Sequence, residues 1–130
     1  MIAIDTSSII AYLSGDAGPD VEATGLALEH RLAVLPPVVL SELLSDPQLT
    51  QDVKDLFISL PLLDASPGYW ERAGLLRATA LSRGRKARLA DTLIAQSCLD
   101  HDVELVTRDA DFRHLAGRAG LRLFASRARR

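Results

Sequence analysis

Acidic residues follow two of the apolar segments that the sequence predicts to be buried strands. Asp5 comes directly after "IAI" at the N-terminus, and Asp109 lies just beyond the segment that ends at Val106, in "LVTRDADF". In a parallel sheet both residues lie at the carboxyl edge, where ligands bind. Carboxylate oxygens are ligands that Mg²⁺ and Mn²⁺ prefer, and carboxylates that meet without a cation repel one another. The pattern therefore indicates a metal site at this edge, provided that further acids join it.

Both acids also have a purely local interpretation. Asp5, with the hydroxyl residues Thr6, Ser7 and Ser8 behind it, can cap the helix predicted to follow. Asp109 or Asp111 can cap a turn or a short helix. Because Asp is among the favoured capping residues, neither position alone distinguishes a structural role from a chemical one.

Two helices carry further acids. Asp91 lies at the edge of an inward face predicted to contain Leu89, Ala90, Leu93, Ile94, Ser97 and Cys98. An acid there is either a first-turn residue stabilised by the helix dipole or a carboxylate aimed at an internal crevice. Glu42 falls outside the apolar stripe of its helix, in "LSELL", where most glutamates are solvated.

The elements that position these acids alternate between short apolar strands and helices. We predict strands at "IAI", "LAVLP", "LPLLD", "VELVT" and "LRLFA", with helices between them. This alternation predicts an α/β sandwich with a mostly parallel sheet of five strands. No repeat or linker interrupts it, so we predict one domain over 1–130, with 125–130 as a frayed basic tail.

Composition narrows the function classes. The net charge is −2, but residues 1–64 carry ten acids and two bases, whereas 65–130 carry seven acids and thirteen bases. Such asymmetry suits a basic side that binds a polyanion beside an acidic pocket, unless the two halves interleave on folding. One cysteine, no apolar run long enough to span a bilayer and no secretory pattern at the N-terminus predict a cytoplasmic protein.

Four short motifs, taken in order and spacing, resemble those of the PIN-domain ribonucleases, and in size and layout the VapC-type toxins. They are "MIAIDTSSII", "LSELL", "LADTLIAQ" and "LVTRDADF", and the resemblance extends over essentially the whole chain. It implies the PIN three-layer sandwich and an acidic site. The implied acids are Asp5, Glu42, Asp91 and Asp109, supported by the hydroxyls of Thr6 and Thr107, with Asp111 as an alternative to Asp109.

The resemblance also implies a cofactor and partners. A Mg²⁺ or Mn²⁺ ion held by Asp5 and Asp91 would serve the hydrolysis of RNA, with tRNA or rRNA as substrate. The chain would form a homodimer and be neutralised by a VapB-type antitoxin. Because an acidic pocket repels RNA, basic residues must hold the backbone nearby. The loop "GRKARLAD" offers Arg85, Lys86 and Arg88, which are otherwise ordinary solvated side chains.

Two other function classes remain open at this point. One is a PIN-fold binding module without catalysis, which a metal titration would separate from an enzyme. The other is a phosphoryl-transfer domain of similar architecture, either a phosphatase or a receiver. The phosphatase pattern requires a second Asp where this chain has Ser7, and a receiver requires an acidic neighbour that Asp5 lacks.

Overall fold

The computed structural model describes residues 1–117 and 119–124, and its centre is a parallel sheet. The strands are β1 (Ile2–Ile4), β2 (Ala33–Val34) and β3 (Leu105–Val106), in the order β2-β1-β3. Ile2 pairs with Ala33, and Ala3 pairs with Leu105. All three strands run in one direction, so their carboxyl ends bring the residues that follow β1 and β3 to a common edge.

Helices surround this sheet. They are α1 (Thr6–Leu13), α2 (Pro19–Glu29), α3 (Pro37–Leu44), α4 (Gln51–Ser59), α5 (Tyr69–Ser82), α6 (Leu89–His101) and α7 (Arg113–Ala116), with a 3₁₀ helix at Ala110–Phe112. Local sequence explains several of their starts. Proline begins α2 and α3, where a missing N–H costs nothing, and the Thr50 hydroxyl accepts a bond from the Val53 N–H at the start of α4.

The sheet is narrower than the five strands predicted. The third and fifth predicted strands each form a single parallel bridge, Leu35 with Leu62 and Leu105 with Leu123. Pro37 lies two residues after Leu35 and Pro61 directly precedes Leu62, and each lacks the N–H that would extend this ladder. The α/β architecture with a parallel sheet flanked by helices is confirmed. The predicted tail, 125–130, lies outside the described residues.

The core extends from the sheet into α3 and α6. Ile4, Leu35, Val39 and Leu105 are fully buried, and α6 packs against both α3 and α5. Because the middle of α6 is covered on several sides, Ala95 and Gln96 are buried as well as the predicted face. Leu89 is 55% exposed, so its predicted inward position is wrong; it stands at the first residue of α6, before the helix enters the core. Among the described residues, no helix is long and apolar enough to cross a membrane.

Candidate active site

Asp5 is a buried carboxylate at the carboxyl end of β1. It is 5% exposed, and its Oδ2 accepts hydrogen bonds from the Ser7 Oγ (2.7 Å) and the Thr107 Oγ1 (2.8 Å). Burial raises the pKa of Asp5, while these two hydroxyls oppose the rise. Asp5 occupies the N-cap position of α1, but its side chain makes no capping bond. The helix-capping interpretation of Asp5 is therefore wrong.

The three hydroxyl residues behind Asp5 each donate to a different carboxylate. Thr6 Oγ1 donates to Glu42 Oε1 (2.8 Å), Ser7 donates to Asp5, and the buried Ser8 Oγ donates to Asp20 Oδ2 (2.8 Å). The first turn of α1 thus organises acids that lie on three separate elements. The Thr6 contact also turns Glu42, although exposed, toward the end of β1 rather than into open solvent.

Asp91 shows that the predicted acids act on one another. The pKa of Asp91 is raised to about 6, first by burial and then by the charges of Asp109 and Asp5. The charge of Arg88 opposes this rise, and Glu42 adds a smaller contribution to it. Asp91 lies in the first turn of α6, but the helix dipole there does not keep the pKa of Asp91 at its ordinary value. We call Asp5, Glu42, Asp91 and Asp109 the acidic cluster.

Asp109 and Asp111 have different surroundings. Asp109 Oδ1 accepts the Asp111 N–H (2.9 Å) and so caps the 3₁₀ helix, while its own N–H donates to Thr107 Oγ1 (3.0 Å). The charge of Asp109 raises the pKa of both Asp5 and Asp91. Asp111 instead pairs with Lys86 Nζ at 3.5 Å. The structure therefore places Asp109 in the acidic cluster and Asp111 beside the basic loop.

The electrostatics of the acidic cluster fit a divalent cation. Within residues 1–117 and 119–124, no basic side chain comes within ion-pair distance of any of its four carboxylates. Nor do any three His, Cys, Asp or Glu side chains of this part of the chain form a group that could hold an ion by themselves. Mg²⁺ commonly uses only one or two protein carboxylates and completes its shell with water and phosphate oxygens. Asp5 and Asp91 are suited to that role.

The basic loop that precedes α6 lies close to the acidic cluster. Arg85, Lys86 and Arg88 are all exposed. Lys86 reaches Asp111, and Arg88 is near enough to Asp91 to lower its pKa. Arg77 Nε donates to the carbonyl oxygen of Ala87 (2.9 Å), which fastens this loop to α5. The loop is therefore held where its cations can meet a substrate that enters the site.

Sequence reasoning missed two features of the site. The sequence does not predict that Ser7 bonds the Asp5 carboxylate, although its distance of two residues from Asp5 suits such a hydroxyl. Arg108 was not considered: its Nε and Nη2 donate to Asp20 (2.9 and 3.1 Å), and its backbone N–H donates to Ser7 (3.4 Å). Because Asp20 also binds Ser8, this contact ties the loop after β3 to the start of α1.

Replacing Thr107 with valine should weaken metal binding without changing the shape of the side chain. The hydroxyl donates to the Asp5 carboxylate and accepts the backbone N–H of Asp109. Its loss removes one of the two hydroxyls that orient Asp5, loosens the backbone at Asp109 and raises the pKa of Asp5 further. We expect Mn²⁺ affinity, followed by electron paramagnetic resonance, to fall about 10- to 100-fold, as for other residues that orient metal ligands. Thr107→Ser, which keeps the hydroxyl, should bind nearly as wild type. Equal affinity of the valine variant would contradict this role.

The family model described as "PIN domain" matches residues 2–118, so this chain belongs to the PIN-domain family. This assignment agrees with the order of the four acidic motifs, and it decides against a phosphatase or receiver domain. A search of curated proteins found no match.

Several solved structures share the fold. VapBC2 from Rickettsia felis, bound to a promoter DNA fragment, is 24% identical with a TM-score of 0.70, covering 95% of this chain and 98% of the other. FitAcB from Neisseria gonorrhoeae is 22% identical with a TM-score of 0.67, covering 96% of this chain and 97% of the other. VapBC-5 from Mycobacterium tuberculosis, a toxin–antitoxin system, is 20% identical with a TM-score of 0.63, covering 96% of this chain and 98% of the other. These similarities concern the fold.

Proposed function

We propose that this PIN domain is a metal-dependent endoribonuclease that acts as the toxin of a toxin–antitoxin pair. The observation that carries the proposal is the convergence of the four carboxylates of the acidic cluster at the carboxyl edge of the sheet. Burial and the charges of its neighbours raise the pKa of Asp91 to about 6, which agrees with this convergence. Uncompensated negative charge of this kind destabilises a fold, and such groups concentrate at functional sites. A divalent cation would relieve it.

The roles that we assign follow from the contacts of each side chain. Asp5 and Asp91 would hold Mg²⁺ or Mn²⁺, which when bound lowers the pKa of water and offsets charge on the scissile phosphate. Thr107 and Ser7 fix the orientation of the Asp5 carboxylate. Glu42 and Asp109 complete the acidic cluster and can accept hydrogen bonds from the attacking water. The Thr6 hydroxyl orients Glu42, and the Asp111 N–H orients the Asp109 carboxylate.

Partners of two kinds are part of the proposal. The similar structures carry VapBC and FitAB names, and one is described as a toxin–antitoxin system, which supports a VapB-type antitoxin as a partner of this chain. The homodimer that the family resemblance implies stays a proposal, because the exposed Trp70, Leu75 and Leu81 do not share one face of α5. Sedimentation velocity of the purified chain tests the homodimer, and tRNA and rRNA are the substrates to assay.

RNA cleavage tests the proposed activity. Purified protein is incubated with mixed tRNA and rRNA in Mg²⁺ or Mn²⁺, in EDTA, and in EDTA followed by excess metal. We expect cleavage that EDTA abolishes, that metal restores and that Asp5→Asn lacks, because this change removes the central carboxylate but keeps its shape. Asp52→Asn is the matched control, since Asp52 is exposed on α4.

Two outcomes would count against the proposal. Cleavage that survives both EDTA and Asp5→Asn would come from a contaminant or from another site. Wild-type protein that binds no divalent metal and cleaves nothing would favour the alternative of a PIN-fold binding module.

A further inference from the structure

A cavity of about 540 Å³ lies between the C-terminal end of α5 and α7, outside the acidic cluster. Arg83 and Arg85 line it from the end of α5 and the loop that follows, and Arg113 and His114 line it from α7. Among the residues that the structure describes, no Asp or Glu lines it. We call this cavity the basic pocket. Its volume is in the range of cavities that hold a ligand of nucleotide size.

The basic side chains that line the pocket are available to a ligand. Arg83, Arg85, Arg113 and His114 are exposed, and in the part of the chain that the structure describes none of them forms an ion pair. Two nearby basic side chains are engaged elsewhere: Lys86 pairs with Asp111, and Arg77 bonds the Ala87 carbonyl. Basic side chains favour helix C-termini, and Arg83 at the end of α5 and Arg113 and His114 in the last turn of α7 all follow this preference. The fold brings these two helix ends to the same cavity, so their basic side chains can meet one ligand.

The floor of the basic pocket is apolar. Leu115 and Ala80 are buried, and Leu76 is half-buried beside them. A cationic rim over an apolar floor suits a nucleotide, whose phosphate meets the rim while the ribose or base covers the floor. An inorganic anion would use only the rim.

The basic pocket adjoins the acidic cluster. Arg85 directly precedes Lys86, which reaches Asp111 at 3.5 Å, and Asp111 donates its N–H to Asp109 of the cluster. Arg113 follows Asp111 by two residues in the same short segment. One polyanionic strand can therefore lie across the carboxylates and the cations at once, and the cations offset the repulsion that the carboxylates cause.

We propose that the basic pocket binds a backbone phosphate and its nucleoside on an RNA strand, at a position flanking the one held at the acidic cluster. This site extends the basic loop of the sequence prediction by Arg83, Arg113 and His114, and it rests on the proposed function for the identity of the strand. Its role is to bind the backbone without reading bases, so it raises affinity for any RNA rather than selecting a target.

Binding measured without cleavage tests the basic pocket. The probe is a fluorescein-labelled 20-nucleotide oligouridine in EDTA, followed by fluorescence anisotropy from 50 to 200 mM KCl. The double variant Arg83→Gln/Arg113→Gln removes two pocket cations. The matched control, Arg31→Gln/Lys54→Gln, removes the two bases of residues 1–64. Circular dichroism confirms that both fold.

We expect the pocket variant to bind about tenfold more weakly at 100 mM KCl, with the slope of log K against log salt reduced by about 0.7, as for one lost single-strand phosphate contact. The control should remain within about twofold. Equal weakening by both doubles would mean diffuse charge attraction, and unchanged binding or no binding by wild type would also overturn the site.

Cleavage assays separate this inference from the proposed function. With Mg²⁺ present, we expect the pocket variant to show a raised KM and an unchanged kcat, because the acidic cluster is intact. Wild type that cleaves RNA while the pocket variant keeps its affinity and KM overturns the basic pocket alone. Wild type that binds through the pocket but never cleaves overturns the nuclease proposal and leaves the pocket standing.

Discussion

Asp91→Asn should stabilise the metal-free protein at pH 7.5 while abolishing cleavage. The Asp91 carboxylate is held among Asp5, Asp109 and Glu42 with a pKa of about 6. At neutral pH it is ionised, although its surroundings in the folded state favour the protonated form. The neutral amide removes that penalty. A shift of two units corresponds to roughly 3 kcal/mol, and partial exposure reduces it to about 1 kcal/mol, or a rise in Tm of about 3 °C. Cleavage should fall at least about a hundredfold if Asp91 holds the ion.

The pH dependence of this effect has a definite sign. The folded state binds the Asp91 proton with a pKa of about 6, whereas the ordinary value is 3.8. Between about pH 4 and pH 6 the folded state therefore holds more protons than the unfolded state, and wild-type stability decreases as the pH rises through this window. Asp91→Asn should show a flatter profile there.

Urea denaturation in EDTA at pH 4 and pH 7.5 measures both effects. Asp52→Asn is the control, because Asp52 lies exposed in the first turn of α4 and its loss should leave stability unchanged or slightly lower. If Asp91→Asn is less stable than wild type at pH 7.5, the Asp91 carboxylate makes a stabilising contact in the folded protein, and repulsion from the neighbouring carboxylates does not dominate.

Divalent metal should stabilise the wild-type protein, and more strongly at pH 7.5 than at pH 5. An ion that binds only the folded state adds about 2.7 kcal/mol at a hundred times its Kd, a rise in Tm of several degrees. At pH 5 Asp91 is mostly protonated, given its pKa of about 6, so metal must displace a proton and its affinity falls about tenfold. Thermal melts with and without Mg²⁺ at the two pH values measure this difference.

Nonspecific ion binding would behave differently. It would raise Tm equally at both pH values and equally in Asp5→Asn, in which the buried carboxylate is absent. Such a result would contradict the assignment of Asp5 and Asp91 as ligands.

The sequence predicts the strand-end acids more directly than the others. Asp5 and Asp109 follow apolar segments, and the carboxyl ends of parallel strands share an edge, so their proximity follows from the fold class alone. Glu42 has no such signal. It lies on the exposed side of α3, and its contact with Thr6 joins residues 36 positions apart that only the tertiary fold brings together. Family resemblance, not periodicity, pointed to it.

The supporting contacts were the hardest to predict. Arg108 and Asp20 are 88 residues apart, and neither lies in a pattern that distinguishes it from a solvated charge. The width of the sheet is easier to predict from the sequence, because the prolines near Leu35 and Leu62 indicate that the third strand cannot extend its hydrogen-bond ladder. The basic pocket combines α7 with the end of α5, so its cations are separated by about 30 positions in the chain.

Mn²⁺ binding to the purified chain at pH 7.5 tests the central claim most directly, because it measures the acidic cluster without needing the right RNA. Electron paramagnetic resonance titrations compare wild type with Asp5→Asn, Asp91→Asn and the control Asp52→Asn. We expect saturable binding by wild type and the control, with affinity at least about tenfold lower in the other two. Wild-type protein without saturable binding, or four proteins of equal affinity, would contradict the metal site.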